Sequence, residues 1–76
     1  MNAVYWWASA DDAIRELVEF LGPDATWSDG QTVFREARKK GAIYYGTIPG
    51  AAQLSGYRYT DTFSPMDYLP RSFGER

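Results

Sequence analysis

The sequence predicts an α+β domain: a small, mainly antiparallel three-stranded sheet in the order β-α-α-β-β, with two helices packed on one face. Three observations carry that expectation. Two segments with helical apolar spacing stand side by side, each opened by a capping residue and closed by glycine, the first from Ser9 to Gly22 and the second from Ser28 to Gly41. Short runs rich in aromatic and β-branched residues lie before and after them. A length of 76 residues gives one compact domain, residues 1–76, with no internal repeat and no low-complexity segment.

Residues 2–8 form the first expected strand. Val-Tyr-Trp-Trp places Val4 and Trp6 on one face and Tyr5 and Trp7 on the other. Both faces are apolar or aromatic, so the strand is expected to be central or covered on two sides. Plain core packing accounts for these rings; a partly exposed Tyr5 and Trp7 that dock a partner is the functional alternative.

The first helix is expected over residues 10–21. Ser9 with Asp12 is a variant capping box, and Asp11 and Asp12 suit the positive end of the helix dipole. Ala10, Ala13, Ile14, Leu17, Val18 and Leu21 make one apolar face, with Phe20 at its edge. Gly22-Pro23 ends it. The opposite face lines up Asp12, Glu16 and Glu19 as an acidic stripe, and Arg15 stands four residues from both Asp11 and Glu19. A solvated face explains such a stripe; an acidic docking surface for a basic partner is the functional reading.

The second helix is expected over residues 29–40, with Ser28 as cap and Gln31 completing a capping box. Trp27, just before the cap, is placed to fold over the helix start as an apolar staple. Val33, Phe34 and Ala37 point inward, while Arg35, Arg38 and Lys39 share the outer face. Lys40 suits the negative end of the dipole, and Gly41 stops the helix.

Strands are expected at 42–48 and 57–63. Pro49-Gly50 signals a turn, and residues 51–56 read as a small-residue connection, so the two strands form a hairpin with a long link. Ser64-Pro65-Met66-Asp67 opens a single helical turn over 65–69. Residues 71–76 are expected to fray.

Composition narrows the function classes. A domain of this size buries roughly 60–65% of the surface its unfolded chain exposes, so its core must be dense. The chain has neither cysteine nor histidine, which removes disulfides, thiolate and imidazole metal sites, and Cys- or His-based nucleophilic catalysis. No acid spacing matches a calcium loop, and no glycine run matches a phosphate or dinucleotide loop. Asp11 and Asp12 diverge at a helix start and make a poor carboxylate dyad. The expectation is no enzyme, no cofactor and no metal. The compensating resource is aromatic: six Tyr, four Phe and three Trp. No basic-then-apolar leader and no bilayer-length apolar run is present, so the expected setting is cytoplasmic, with no membrane partner.

The net charge of −2 hides a polarised chain. Residues 1–34 sum to −5, residues 35–40 to +3, and residues 41–76 to zero. The basic outer face of Arg35, Arg38 and Lys39, leading into a hairpin, resembles the recognition helix and wing of a winged-helix domain, which would bind nucleic acid. The short link of residues 23–27 cannot supply the further helix of that pattern, and the sequence pI of about 4.9 is acidic where nucleic-acid domains are basic. Separate acidic and basic faces, with more Tyr and Trp than a two-layer core needs, point instead to binding another protein.

In length, acidic N-terminal half and compact α+β plan, the chain resembles the small phage-encoded inhibitors of bacterial defence, anti-CRISPR proteins in particular. The resemblance is of type and rests on no shared motif. It implies a stoichiometric inhibitor in the bacterial host cytoplasm. Such an inhibitor binds a CRISPR effector or surveillance-complex subunit and blocks target-DNA binding or nuclease recruitment. Asp12, Glu16 and Glu19, with Tyr5 and Trp7, are the residues of this chain expected to meet a basic, nucleic-acid-binding surface of that partner.

Overall fold

Both helices are closed by local chemistry that fixes their ends. The computed structural model describes residues 4–48 and 50–69. Within them the chain runs β1 (Val4–Trp7), α1 (Ala10–Leu21), α2 (Trp27–Lys39), β2 (Tyr44–Ile48) and β3 (Ala51–Thr60), then a 3-10 turn at Pro65–Tyr68. This is the expected β-α-α-β-β order, and the helices pack on the sheet. The expected frayed tail, 71–76, and the first two residues of the expected opening strand lie outside the described residues.

Ser9 caps α1 by accepting from the Asp12 backbone N–H at 3.1 Å, as expected of a capping serine. The Asp12 carboxylate does not reach back; it pairs with Arg15 at 3.2 Å, so Arg15 is bound to neither Asp11 nor Glu19. The second helix starts two residues earlier than the sequence suggests. Thr26, not Ser28, is the cap: its hydroxyl accepts from Asp29 N–H at 3.2 Å, and the Asp29 carboxylate accepts from Thr26 N–H at 2.8 Å. This reciprocal box wins because Asp29 is buried there, where its acceptors must be satisfied. Ser28 lies inside the first turn, its carbonyl accepting from Thr32 Oγ1. Trp27 is therefore the first helical residue, 44% exposed, and not a staple over the helix.

α2 ends in a Schellman motif. The N–H of Gly41 (φ +77°) donates to Arg38 and that of Ala42 to Ala37. Ile43 N–H also donates to Ala37, which keeps 42 and 43 out of the sheet and delays β2 to Tyr44.

The sheet order is β1-β3-β2, antiparallel throughout. β1 is therefore an edge strand, so of the two expectations, central or covered on two sides, the first is overturned. The connection between β2 and β3 is short, not long. Ile48 pairs with Ala51, Gly50 takes φ +78°, and residues 51–56, expected as a link, are strand. The ladder carries a register shift between Thr47 and Ile48. β3 ends at Thr60, where Phe63 N–H turns back to the Thr60 carbonyl.

Helices cover the sheet face that carries Trp7, Tyr57 and Tyr59. Trp7, Ala13, Ile14, Leu17, Val33, Phe34, Ala37 and Ile43 form the buried cluster. Each large side chain buried there contributes about 1.5–3 kcal/mol relative to exposure. α1 and α2 touch closely at Gly30: a methyl group there would stand 2.7 Å from the Val18 side chain and 3.0 Å from the Ile14 carbonyl. The other sheet face has its own small cluster, in which the side chains of Trp6 and Ile48 close over Gly56.

Candidate functional site

The helix-covered face is not sealed along its whole length. Beside α1, toward the start of β1 and the end of β3, a groove of about 300 Å³ opens to solvent. Cross-strand pairing builds its floor: Tyr5 lies opposite Tyr59, and Trp7 is two pairs further along, on the same face. The Tyr5 and Tyr59 rings stack at 5.4 Å, the Trp7 and Tyr59 rings at 4.0 Å. Phe63 meets Tyr59 edge-on at 5.7 Å, carried there by the turn after β3. Phe20, from the last turn of α1, forms the helix-side wall and is 61% exposed, a large apolar ring held at the rim. Glu16 and Asp61 are the charged residues of the lining, and both are acids.

Glu16 is anchored. The Trp7 indole N–H donates to its Oε2 at 2.7 Å, a charge-assisted bond that satisfies the polar edge of a ring only 5% exposed. The same carboxylate acts on Tyr59, whose phenol is pushed above its ordinary value, first by burial, then by Glu16 and by Tyr5. The groove thus disfavours added negative charge.

The five residues expected to meet a partner separate into two groups. Tyr5, Trp7 and Glu16 line this groove together. Trp7 does so from within the core, so it supports the site and does not present an exposed ring. Asp12 and Glu19 stay on α1 outside the groove; Asp12 is paired with Arg15, and Glu19 is exposed. Sequence reasoning missed Phe20, Tyr59, Asp61 and Phe63 as site residues. Tyr59 and Phe63 were visible as one alternating face of a strand, but nothing local showed that Tyr5 would be their neighbour.

The expected basic face is largely engaged. The Arg38 guanidinium lies 5.1 Å from the Tyr57 ring centre and 5.7 Å from that of Phe34, and Lys39 pairs with Glu36 at 3.5 Å. Arg35 is exposed. Two helices precede the hairpin among the described residues, where a winged helix would place three. A second depression, of about 390 Å³ between α2 and the 3-10 turn, mixes Glu36 and Asp67 with Lys40, and Tyr68 is its one aromatic lining residue.

The helix-free sheet face carries one transverse row: Trp6, Arg58 and Tyr44, paired across the three strands. The Arg58 guanidinium sits 5.3 Å from the Tyr44 ring centre, and its Nε is buried without a hydrogen-bond partner. Among the described residues no group of three or more acids is placed to hold a metal ion, and no helix is long and apolar enough to cross a membrane. No protein-family model, no curated protein and no solved structure matches the chain.

Proposed function

We propose that this protein is a non-enzymatic inhibitor that docks onto a basic surface of a partner protein through the groove beside α1 and the acids of that helix. The observation that carries this reading is the groove itself: exposed aromatic rings backed by Glu16 and Asp61 and lined by no Lys or Arg, with Glu19 exposed one turn on along α1. Aromatic anchors give affinity at an interface, and a field of one sign gives orientation and rate. A surface built to hold phosphates supplies the complementary cations. A CRISPR effector or surveillance-complex subunit, with target DNA as the ligand displaced, is the partner class to which the sequence resemblance leads.

The test uses purified CRISPR effector complexes and labelled target DNA. Stoichiometric loss of DNA binding on adding the protein is expected. It should weaken with salt, and by about tenfold or more in Glu19→Lys combined with Glu16→Gln, because close charge pairs at interfaces carry that much coupling. The glutamine keeps an acceptor for the Trp7 indole, so the fold survives. DNA binding that persists for every effector class, with no complex in size-exclusion chromatography, overturns the reading.

A further inference from the structure

We infer that the groove receives one arginine side chain of the partner, its guanidinium against the exposed Tyr5 and Phe20 rings and its charge answered by Glu16 and Asp61. This rests on the proposed docking role and names its anchor. Four observations converge on a cation with a flat face. The volume, about 300 Å³, is at the small end of ligand pockets (~300–1,000 Å³), which suits one inserted side chain better than a whole helix. Five of the ten lining residues are aromatic, and ring faces attract cations. The charged lining residues are both carboxylates; Oε2 of Glu16 is held by the Trp7 indole, and Oε1 makes no hydrogen bond to a described residue. The Tyr59 phenol, raised first by burial, is raised further by the Glu16 carboxylate beside it.

The chain's own described arginines are deployed elsewhere. Arg15 is on Asp12, Arg38 on Phe34 and Tyr57, Arg58 on Tyr44 across the sheet, and Arg35 on α2 does not line the groove. Arginine is favoured over lysine because a planar guanidinium stacks on an aromatic face and presents a fork of donors to carboxylates, whereas an ammonium is a compact, strongly hydrated point charge. A nucleic-acid phosphate is disfavoured because both charged groups in the lining would repel it.

The experiment is an NMR titration of the full chain with the capped tripeptide acetyl-Ala-Arg-Ala-amide, following the indole N–H signals of the three tryptophans. A saturable shift at Trp7 is expected, weaker by about tenfold with the glutamine tripeptide and intermediate with lysine. Asp61→Asn and Phe20→Ala, both at exposed positions, should each weaken it several-fold while leaving the free spectrum dispersed. Equal shifts for arginine and glutamine, a shift confined to Trp6, or no saturable shift overturns the inference. Binding that emerges only after Arg71→Gln and Arg76→Gln overturns it too, assigning the groove to the chain's own arginines. The peptide result stands apart from the effector test. If effector inhibition survives Asp61→Asn with Phe20→Ala, the docking role holds and the arginine anchor fails. If the tripeptide binds but no effector is inhibited, the anchor chemistry holds and the inhibitor role fails.

Discussion

Trp7 and Glu16 tie the edge strand to the first helix: the indole N–H donates to the Glu16 carboxylate at 2.7 Å, and the ring fills the core beneath it. An acid that looks, in the sequence, like one member of a solvated stripe is therefore part of the fold. Glu16→Ala leaves a nearly buried donor unpaired and should lower unfolding free energy by about 1–3 kcal/mol. Glu19→Ala, one turn on and exposed, should stay within about 0.5 kcal/mol. Urea denaturation of the two variants separates them; equal effects would mean the bond contributes nothing.

Thr26 rather than Ser28 holds the start of α2. Thr26→Ala should cost about 0.5–2 kcal/mol, the range for losing a capping side chain. Ser28→Ala, within the helix and exposed, should be neutral or mildly stabilising because alanine is the better helix former. Thermal unfolding of the pair checks this, and a larger loss in the serine variant would restore the sequence-based cap.

Gly30 sets the distance between the helices. Gly30→Ala places a methyl group against Val18 and the Ile14 backbone, and overpacking of that kind costs about 1–3 kcal/mol. Gly46→Ala is the control: its new methyl would meet Arg58 and Tyr44 no closer than 3.8 Å, so it should be neutral or gain up to about 1 kcal/mol from reduced chain entropy. The two midpoints in urea should move in opposite directions or differ clearly in size.

Tyr59 makes stability depend on pH at the alkaline end. Its folded phenol titrates above the unfolded value of 10.0, chiefly because burial penalises the phenolate and then because Glu16 and Tyr5 add to that penalty. Between the unfolded and folded values the native state holds the extra proton, so its contribution is complete below about pH 10 and is lost as pH rises through the folded value. Tyr59→Phe should flatten that alkaline decline. Phenolate absorbance against pH, folded and in urea, measures the shift directly; identical curves would remove it.

Much of the fold was legible because helices are written locally. Ser9 and Gly22 bracket α1 within one stretch of chain, and the 3.6-residue spacing of Ile14, Leu17 and Leu21 fixes which side is buried. The second cap was misread because two boxes of nearly equal quality overlap, Thr26–Asp29 and Ser28–Gln31. Burial of Asp29, a tertiary fact, decides between them.

By itself, then, the sequence determined a cysteine-free, aromatic-rich α+β domain, two helix faces and the charge along each, since all of these follow from composition and short-range periodicity. The tertiary structure decided which strand is central, how tightly the hairpin turns and which acids are free to act. Strand alternation gives the faces of β1 but not its neighbour, and only pairing with β3 brings Tyr5 beside Tyr59 and Trp7 under Glu16. A groove made by residues 5, 16, 20, 59 and 61 draws on segments far apart in the chain, and contacts of that range are set by packing the whole domain.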